Sequence, residues 1–466
     1  MGKIIWDGES SGYHPGLVEI RAAPPSERAG FDLRKRASGR GGEALGSLER
    51  EKSLRSVVRM DVSLADEEGL DPFGPGPMAM KVFAPDSVPE DPLARTSLVQ
   101  FDPALPLRPV LEALAADPSI RWVSPVPMRY IADKAPEHDY LDPPNPHILK
   151  SLKNIRWFEV KNAKNMPNAS GVSVAVLDTG FDPRHPDLKD KNDYYVWYFH
   201  RKHRRFSKLD FCGHGTHVAG IIGATSENGQ GVNGMCNARL VPFKIVCDEP
   251  AYDEEQNRFI YIVDPGLYMC ALAKCLRYGV DVVNLSIAGF KYCRTEARLI
   301  RELIARGTVV VAGMGNDGPD RNRTAYPAAF RRVIAVGGTD EQDSAVKDSS
   351  SGAHIALCAP GKDVWSTLPT YQGQYCFEAE PGNDEEPEMG PPVERKKYYY
   401  YWNGTSMATA HVSGAAALYL AKNGKQSPAT VRQALIDSVD RVDEMGDEKF
   451  TKRHGYGRLN LERLLK

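Results

Sequence analysis

Four side chains in this sequence have the chemistry of acyl transfer. They are the carboxylate of Asp178 in Asp178-Thr179-Gly180, the imidazole of His214 in His214-Gly215-Thr216-His217-Val218-Ala219-Gly220, the amide of Asn316 in Gly315-Asn316-Asp317-Gly318, and the hydroxyl of Ser406 in Asn403-Gly404-Thr405-Ser406-Met407-Ala408. A serine hydroxyl becomes a useful nucleophile when a base takes its proton, a carboxylate orients that base, and an amide N–H can hold the oxyanion that follows. Each part also has a plainer reading. Ser406 heads a run of small residues that reads as a buried helix, where a serine can serve as a cap. Asp-Thr-Gly is also found in sites where two carboxylates share a proton, but a second copy is missing here. His214 and His217 lack the intervening Glu of a His-Glu-x-x-His zinc helix. Gly-Asn-Asp-Gly is strong turn chemistry.

The elements that carry these residues decide between the readings. From about residue 141 onward, apolar strand-like runs alternate with helical segments. The strands are Val172–Leu177, Val241–Val246, Asp281–Ser286, Thr308–Ala312 and Val333–Val336; the helices are Gly215–Gly223, Gly266–Tyr278 and Arg298–Ala305. Strands apolar on both faces and separated by helices predict an α/β fold, a mainly parallel sheet flanked by helices on both faces. Sites in such folds form at the C-terminal ends of the strands. Asp178 and Asn316 follow strands there, and His214 and Ser406 open helices. An acid, an imidazole, an amide and a hydroxyl thus converge on one sheet edge.

The Asp-Thr-Gly, His-Gly-Thr-His-Val-Ala-Gly and Gly-Thr-Ser-Met-Ala motifs, together with Gly-Asn-Asp-Gly, in this sequence and on these elements, resemble the subtilisin family of serine peptidases, over roughly residues 141–466. The resemblance implies a serine endopeptidase with Ser406 as nucleophile, His214 as general base and then acid, Asp178 holding the imidazole, and Asn316 donating to the oxyanion beside the Ser406 N–H. It makes His217 structural. It implies a polypeptide substrate bound as an extended strand beside Ser286, Ile287 and Ala288, with Gly313, Met314 and Gly315 walling the pocket before the scissile bond. Small residues there suggest room for a large side chain, narrowed by Met314, and Asp317 reads either as an acid that favours a basic side chain or, at least as readily, as a solvated turn acid. The chemistry needs no cofactor. The resemblance also suggests structural calcium at Asp187 and Asn228 with the carbonyls of Gln230 and Val232, hard oxygen ligands on a tight loop. Ala410 stands where relatives carry proline and Ala288 where they carry glycine. The runner-up function is a catalytically silent protein-binding module that keeps the fold and its cleft.

Three domains are expected. Residues 1–55, rich in Arg, Glu, Ser and Gly, read as a mobile or weakly ordered leader. Residues 56–140 read as a small α+β, ferredoxin-like module, with strands at Ser56–Val62, Met80–Phe83, Ser97–Phe101 and Ile120–Val123 and a helix at Leu107–Leu114. This module weakly resembles the family's prodomain, which assists folding and then blocks the cleft. The protein is therefore read as a self-inhibited zymogen with its own N-terminal module as intramolecular inhibitor, and Tyr140 as the autoprocessing position. Residues 141–466 form the peptidase domain.

Two insertions, Tyr252–Arg258 and about Tyr371–Tyr401, read as solvated loops. Alternatively the second, which carries both acidic and basic runs, pairs with the basic loop Arg201–Arg205 as a lid over the cleft. The net charge of -2 gives no reason to propose nucleic acid as a partner. The first residues lack a signal-peptide apolar region, and the chain lacks an apolar run of bilayer length, so a cytoplasmic location without membrane contact is expected. The eight cysteines are scattered without a Cys-x-x-Cys pair and are read as free thiols. The Asn-x-Ser/Thr triplets at Asn168, Asn322 and Asn403 are then chance matches.

Overall fold

The computed structural model describes residues 3–9, 11–22, 54–59, 96–101, 105–117, 120–131, 150–189, 191, 209–226, 228, 231–246, 250–254, 257–318, 323–382 and 387–466. Two compact units emerge. The first is Met1–Met128 with the short stretch Lys291–Thr295, and the second is Arg129–Phe290 with Glu296–Lys466.

The first unit is an α+β module, as expected, but it begins earlier. Its strands are β1 (Lys3–Ile4), β2 (Tyr13–Ala22), β3 (Leu54–Arg59), β4 (Thr96–Phe101) and β5 (Ile120–Pro127), with helix α1 (Leu107–Ala115) before β5. The sheet order is β1-β5-β2-β4-β3, so β2 lies at its centre. For residues 11–22 this corrects the reading of a leader: Val18 and Ile20 are buried in the unit's core with Val99, Phe101, Leu111, Leu114 and Val123, while residues 23–53 lie outside the described residues. Pro109 is tolerated because it sits in the first turn of α1, where an N–H has no intrahelical partner. The unit also ends earlier than expected, at Met128 and not at residue 140. Met80–Phe83, Tyr140 and Arg201–Arg205 lie outside the described residues.

The second unit has the expected parallel sheet. Its elements, in order, begin with α2 (Lys150–Asn154), α3 (Trp157–Asn162), β6 (Ser173–Asp178), α4 (His214–Gly223), β7 (Arg239–Lys244), β8 (Ala251–Asp253), β9 (Arg258–Ile260), α5 (Pro265–Tyr278), β10 (Val282–Leu285) and α6 (Arg294–Ala305). They continue with β11 (Val309–Gly313), β12 (Ile334–Thr339), β13 (Ile355–Pro360), β14 (Val364–Leu368), β15 (Gln374–Pro381), β16 (Pro387–Glu394), β17 (Tyr398–Trp402), α7 (Thr405–Asn423), α8 (Pro428–Asp437) and α9 (Leu461–Leu464). Six strands pair in parallel in the order β13-β12-β11-β10-β6-β7. After β6 the chain adds β7 on one side and later β10 on the other, so the order reverses between β6 and β10. A crevice opens at the C-terminal edge of such a switch point. Asp178 ends β6 and Ser286 follows β10.

Helix α7 is buried from Thr405 to Leu418. Its small residues let it pack close to the segment between α4 and β7: a Cβ on Gly414 would lie 2.4 Å from the Met235 Cβ. All described cysteines are free, and all but Cys270 are buried.

The two insertions are not loops. β8 and β9 form one hairpin, β15 and β16 another, and β9 pairs with β15, giving a four-stranded antiparallel sheet. The tyrosine-rich stretch becomes β17, paired antiparallel with β14. Backbone pairing between two segments distant in sequence therefore replaces the expected solvated coil.

Candidate active site

His214 is the first residue of α4 and Asp178 the last of β6, and both are buried. Their approach depends on the residue after the histidine. A Cβ on Gly215 would lie 2.3 Å from the Gly180 carbonyl oxygen and 3.0 Å from the Asp178 Cβ, so only glycine lets the helix start this close to the strand end. His214 Nδ1 lies 2.6 Å from Asp178 Oδ1. A carboxylate oxygen accepts, so Nδ1 carries the proton and Nε2 is left as the basic nitrogen. The Thr179 N–H donates to the same Asp178 oxygen at 2.7 Å. Burial pushes the Asp178 carboxyl up from its ordinary value, against the pull of His214 and the Thr179 N–H.

Asp210 organises this corner and was not singled out in the sequence. Fully buried, it accepts from the Thr179 hydroxyl and the Gly213 N–H on Oδ1, and from the Thr216 N–H and hydroxyl on Oδ2, all at 2.7–2.8 Å. It thereby binds the N-terminal turn of α4 to the loop after β6, doing from four residues before His214 what a cap does. Trp402 was also missed. Its ring stands edge-on to His214 at 5.5 Å and to His217 at 5.6 Å, and it is buried. Cys212, two residues from His214, has its thiol pushed up by burial, which keeps it protonated and inert. The His217 Nε2 meets the Tyr400 carbonyl at 3.1 Å, and burial depresses its pKa to about 3, so the ring is neutral.

Ser406 is the second residue of α7, whose N-cap is Gly404. The plain capping role is therefore not the one it fills. Its Oγ donates to the Ser286 carbonyl at 3.2 Å, and the Ser286 Oγ donates to the Ser406 carbonyl at 3.1 Å. Behind them the Ser413 hydroxyl donates to Asn284 Oδ1, and Asn284 Nδ2 to the Ser286 Oγ, so the turn that carries Ser406 is tied to the end of β10. Asn316 accepts on Oδ1 from the Thr405 N–H at 2.9 Å. That bond fixes the side-chain plane and turns the NH2 end away from Thr405.

Ser286, Ile287 and Ala288 are buried along the edge after β10. This edge holds a strand of the protein itself: the Tyr130 N–H donates to the Ala288 carbonyl at 3.0 Å and the Ala288 N–H to the Tyr130 carbonyl at 3.1 Å. On its other side Tyr130 bridges Ile262, and the Val263 N–H donates to the Arg129 carbonyl at 2.9 Å. Gly313, Met314 and Gly315 follow along β11 and its end, and all three are buried. Gly315 has φ +88°, and a Cβ there would meet the Ala288 Cβ at 3.3 Å and the Ala325 Cβ at 3.8 Å, so glycine keeps this wall low. Asp317 is neither solvated nor poised for a substrate cation. Arg323 holds it by two bonds of 2.7 Å, Nε to Oδ2 and Nη2 to Oδ1.

The loop expected to hold calcium is closed by hydrogen bonds. Asp187 Oδ1 accepts from the Asn228 amide at 2.6 Å and Oδ2 from the Val232 N–H at 3.1 Å, and the Tyr399 hydroxyl also bonds its carboxyl. Both carboxyl oxygens of Asp187, the charged ligand expected for the ion, thus accept from N–H donors. Gln230 lies outside the described residues. No group of three or more His, Cys, Asp or Glu side chains that could hold a metal occurs among the described residues. No described helix is long and apolar enough to cross a membrane.

Known proteins resemble this chain in sequence and in fold. Residues 169–457 match the model of the subtilase family. The chain is 29% identical over 356 residues to a thermophilic serine proteinase of Bacillus sp. (strain AK1), covering 75% of this chain and 74% of the relative. It is 30% identical over 327 residues to an intracellular serine protease of Paenibacillus polymyxa, covering 66% of this chain and 85% of the relative. Among solved structures, fervidolysin from Fervidobacterium pennivorans, a keratinolytic enzyme related to subtilisin, matches with a TM-score of 0.66 at 21% identity. That match covers 99% of this chain and 62% of fervidolysin, and shows the shared fold. The chain belongs to the subtilase family of serine peptidases.

Proposed function

We propose that the protein is an endopeptidase that works through Ser406, His214, Asp178 and Asn316 by way of an acyl-enzyme. The observation that carries this reading is the buried 2.6 Å contact between His214 Nδ1 and Asp178 Oδ1, which leaves Nε2 as the base. A peptide entering as a strand along Ser286–Ala288 brings an N–H to the Ser286 carbonyl. That carbonyl now accepts from Ser406 Oγ, so substrate binding displaces the hydroxyl and turns it toward the imidazole. Catalytic hydrogen bonds often tighten only in the substrate complex.

His214 Nε2 then takes the Ser406 proton as Oγ attacks the carbonyl carbon. The oxyanion forms against the Asn316 NH2 and the N–H of Ser406, at the positive end of α7. Collapse of this intermediate breaks the C–N bond, with His214 returning the proton to the leaving amine. Water deacylates the serine by the same steps.

The zymogen reading belongs to this proposal. Arg129 and Tyr130 lie where a substrate strand would lie, and a strand of the chain itself in that place supports self-inhibition. Calcium at Asp187 is not carried into any step. Hydrolysis of internally quenched peptides by the full chain, absent in Ser406→Ala, tests the reading. Equal hydrolysis by both proteins would defeat it.

A further inference from the structure

Glu296 is a carboxylate with side-chain exposure of 0%, near the start of α6. It has no place in the chemistry above. Its partners within the second unit are Arg129, through Nε to Oε1 at 3.2 Å and Nη2 to Oε2 at 2.5 Å, and Tyr268, whose hydroxyl donates to Oε1 at 2.8 Å. The Arg129 side chain is itself only 4% exposed. A carboxylate buried this deeply is strongly unfavourable unless a cation pairs with it, and the two-pronged contact matches the planar guanidinium better than an ammonium. Tyr268 supplies a hydroxyl from α5 and cannot neutralise the charge.

The backbone register says which position of a bound peptide this site reads. Tyr130 pairs antiparallel with Ala288. In antiparallel register, the peptide residue that pairs with Ser286 is two residues after the one that pairs with Ala288. Ser286 shares reciprocal hydrogen bonds with Ser406, so the residue pairing with Ser286 is the one whose carbonyl Ser406 can attack. The Tyr130 place is then third before the scissile bond and the Arg129 place fourth. Side chains alternate along a strand, so the fourth points opposite to the third and reaches the buried acid.

We propose that Glu296, with Tyr268, makes this peptidase select substrates carrying arginine at the fourth residue before the cut, and that Arg129 is the chain's own occupant of that subsite. The inference rests on the peptidase reading for its cleavage assay. Glu296 acts as a specificity-determining residue and touches no reacting atom. A site built around a buried charge rejects an uncharged side chain because the acid is then left unpaired.

The test uses the full chain and pairs of quenched peptides that differ only in arginine or leucine at that position, with the cut located by mass. We expect kcat/KM to favour arginine by about thirtyfold or more, the lower end of what losing one partner of a buried, hydrogen-bonded charge pair costs, with lysine between the two. The isosteric Glu296→Gln should reduce the preference to below about threefold, and Glu296→Leu should reverse it in favour of leucine. Equal rates for both peptides, or an arginine preference that survives in Glu296→Gln, would overturn the inference and leave the peptidase reading standing. Failure of all peptides together with no labelling of Ser406 by a fluorophosphonate would instead defeat the peptidase reading. In that event, binding of the same fluorescein-labelled peptides to the Arg129→Ala chain decides: at least tenfold tighter binding of the arginine peptide supports the subsite, and equal binding overturns it.

Discussion

His214 Nδ1 and Asp178 Oδ1 are 2.6 Å apart, and neither side chain is more than 1% exposed. Because water does not reach this pair, the carboxylate fixes the imidazole tautomer without competition from solvent. Asp178→Asn keeps the shape but offers Nδ1 a donor or a neutral oxygen, which favours the wrong tautomer. The expected loss in kcat is about ten-thousandfold, a magnitude carried over from a convergent serine peptidase triad. Single-turnover kinetics check it; a loss below about tenfold would remove Asp178 from the mechanism.

Asn316 is held through its Oδ1 by the Thr405 N–H, so replacing it removes a fixed donor and leaves the substrate strand's pairing in place. Asn316→Ala should lower kcat by about a hundred- to a thousandfold, the loss such an amide shows in this family, with KM changed by less than about threefold. Steady-state kinetics on one peptide separate the two parameters. A change confined to KM would place Asn316 in binding.

Asp210 gathers four donors at 2.7–2.8 Å in a fully buried corner. Asp210→Ala leaves those groups unsatisfied and frees the first turn of α4. The expected destabilisation is about 2–4 kcal/mol, beyond that of an ordinary surface cap. Urea unfolding of the change in a Ser406→Ala background measures it without autolysis. An unchanged midpoint would show that the corner is held by other contacts.

Stability should fall on mild acidification. Burial lowers the pKa of His217 to about 3 and of His411 to about 4, from an ordinary 6.5. Below pH 6.5 the unfolded chain takes up these protons and the folded chain does not. Each histidine therefore subtracts up to about 1.4 kcal/mol per pH unit, with the loss running from pH 6.5 down to the folded values and absent above pH 7. Urea midpoints of the Ser406→Ala chain at pH 8, 7, 6 and 5 check this. Equal midpoints at pH 7 and pH 5 would contradict it.

The site was legible because its motifs are local and chemically restrictive: His214-Gly215 needs a glycine for close approach, and Asp178 ends an apolar strand. Five of the six strands of the parallel sheet were legible because they are apolar on both faces, whereas β13 (Ile355–Pro360), just as buried, was not singled out. What escaped depends on pairing between distant segments. β2 was missed because His14-Pro15-Gly16 breaks the run at its start, although Val18-Glu19-Ile20-Arg21-Ala22 alternates apolar and charged residues as a half-buried strand does. β15 and β16 are half exposed and charged, so composition suggested loops until β9 was seen to pair with them. Glu296 sits 167 residues from Arg129, and neither residue alone signals the other. Asp210 left a faint trace, an acid four residues before the histidine that opens α4.

The central claim is that Ser406 is a nucleophile activated by His214. The most direct test is covalent labelling of the full chain by a fluorophosphonate at neutral pH, with the labelled peptide located by mass spectrometry. The account predicts one label, on Ser406, lost in Ser406→Ala and slowed by at least a hundredfold in His214→Ala. A folded chain that takes up no label at Ser406, or that labels equally fast without His214, would contradict it.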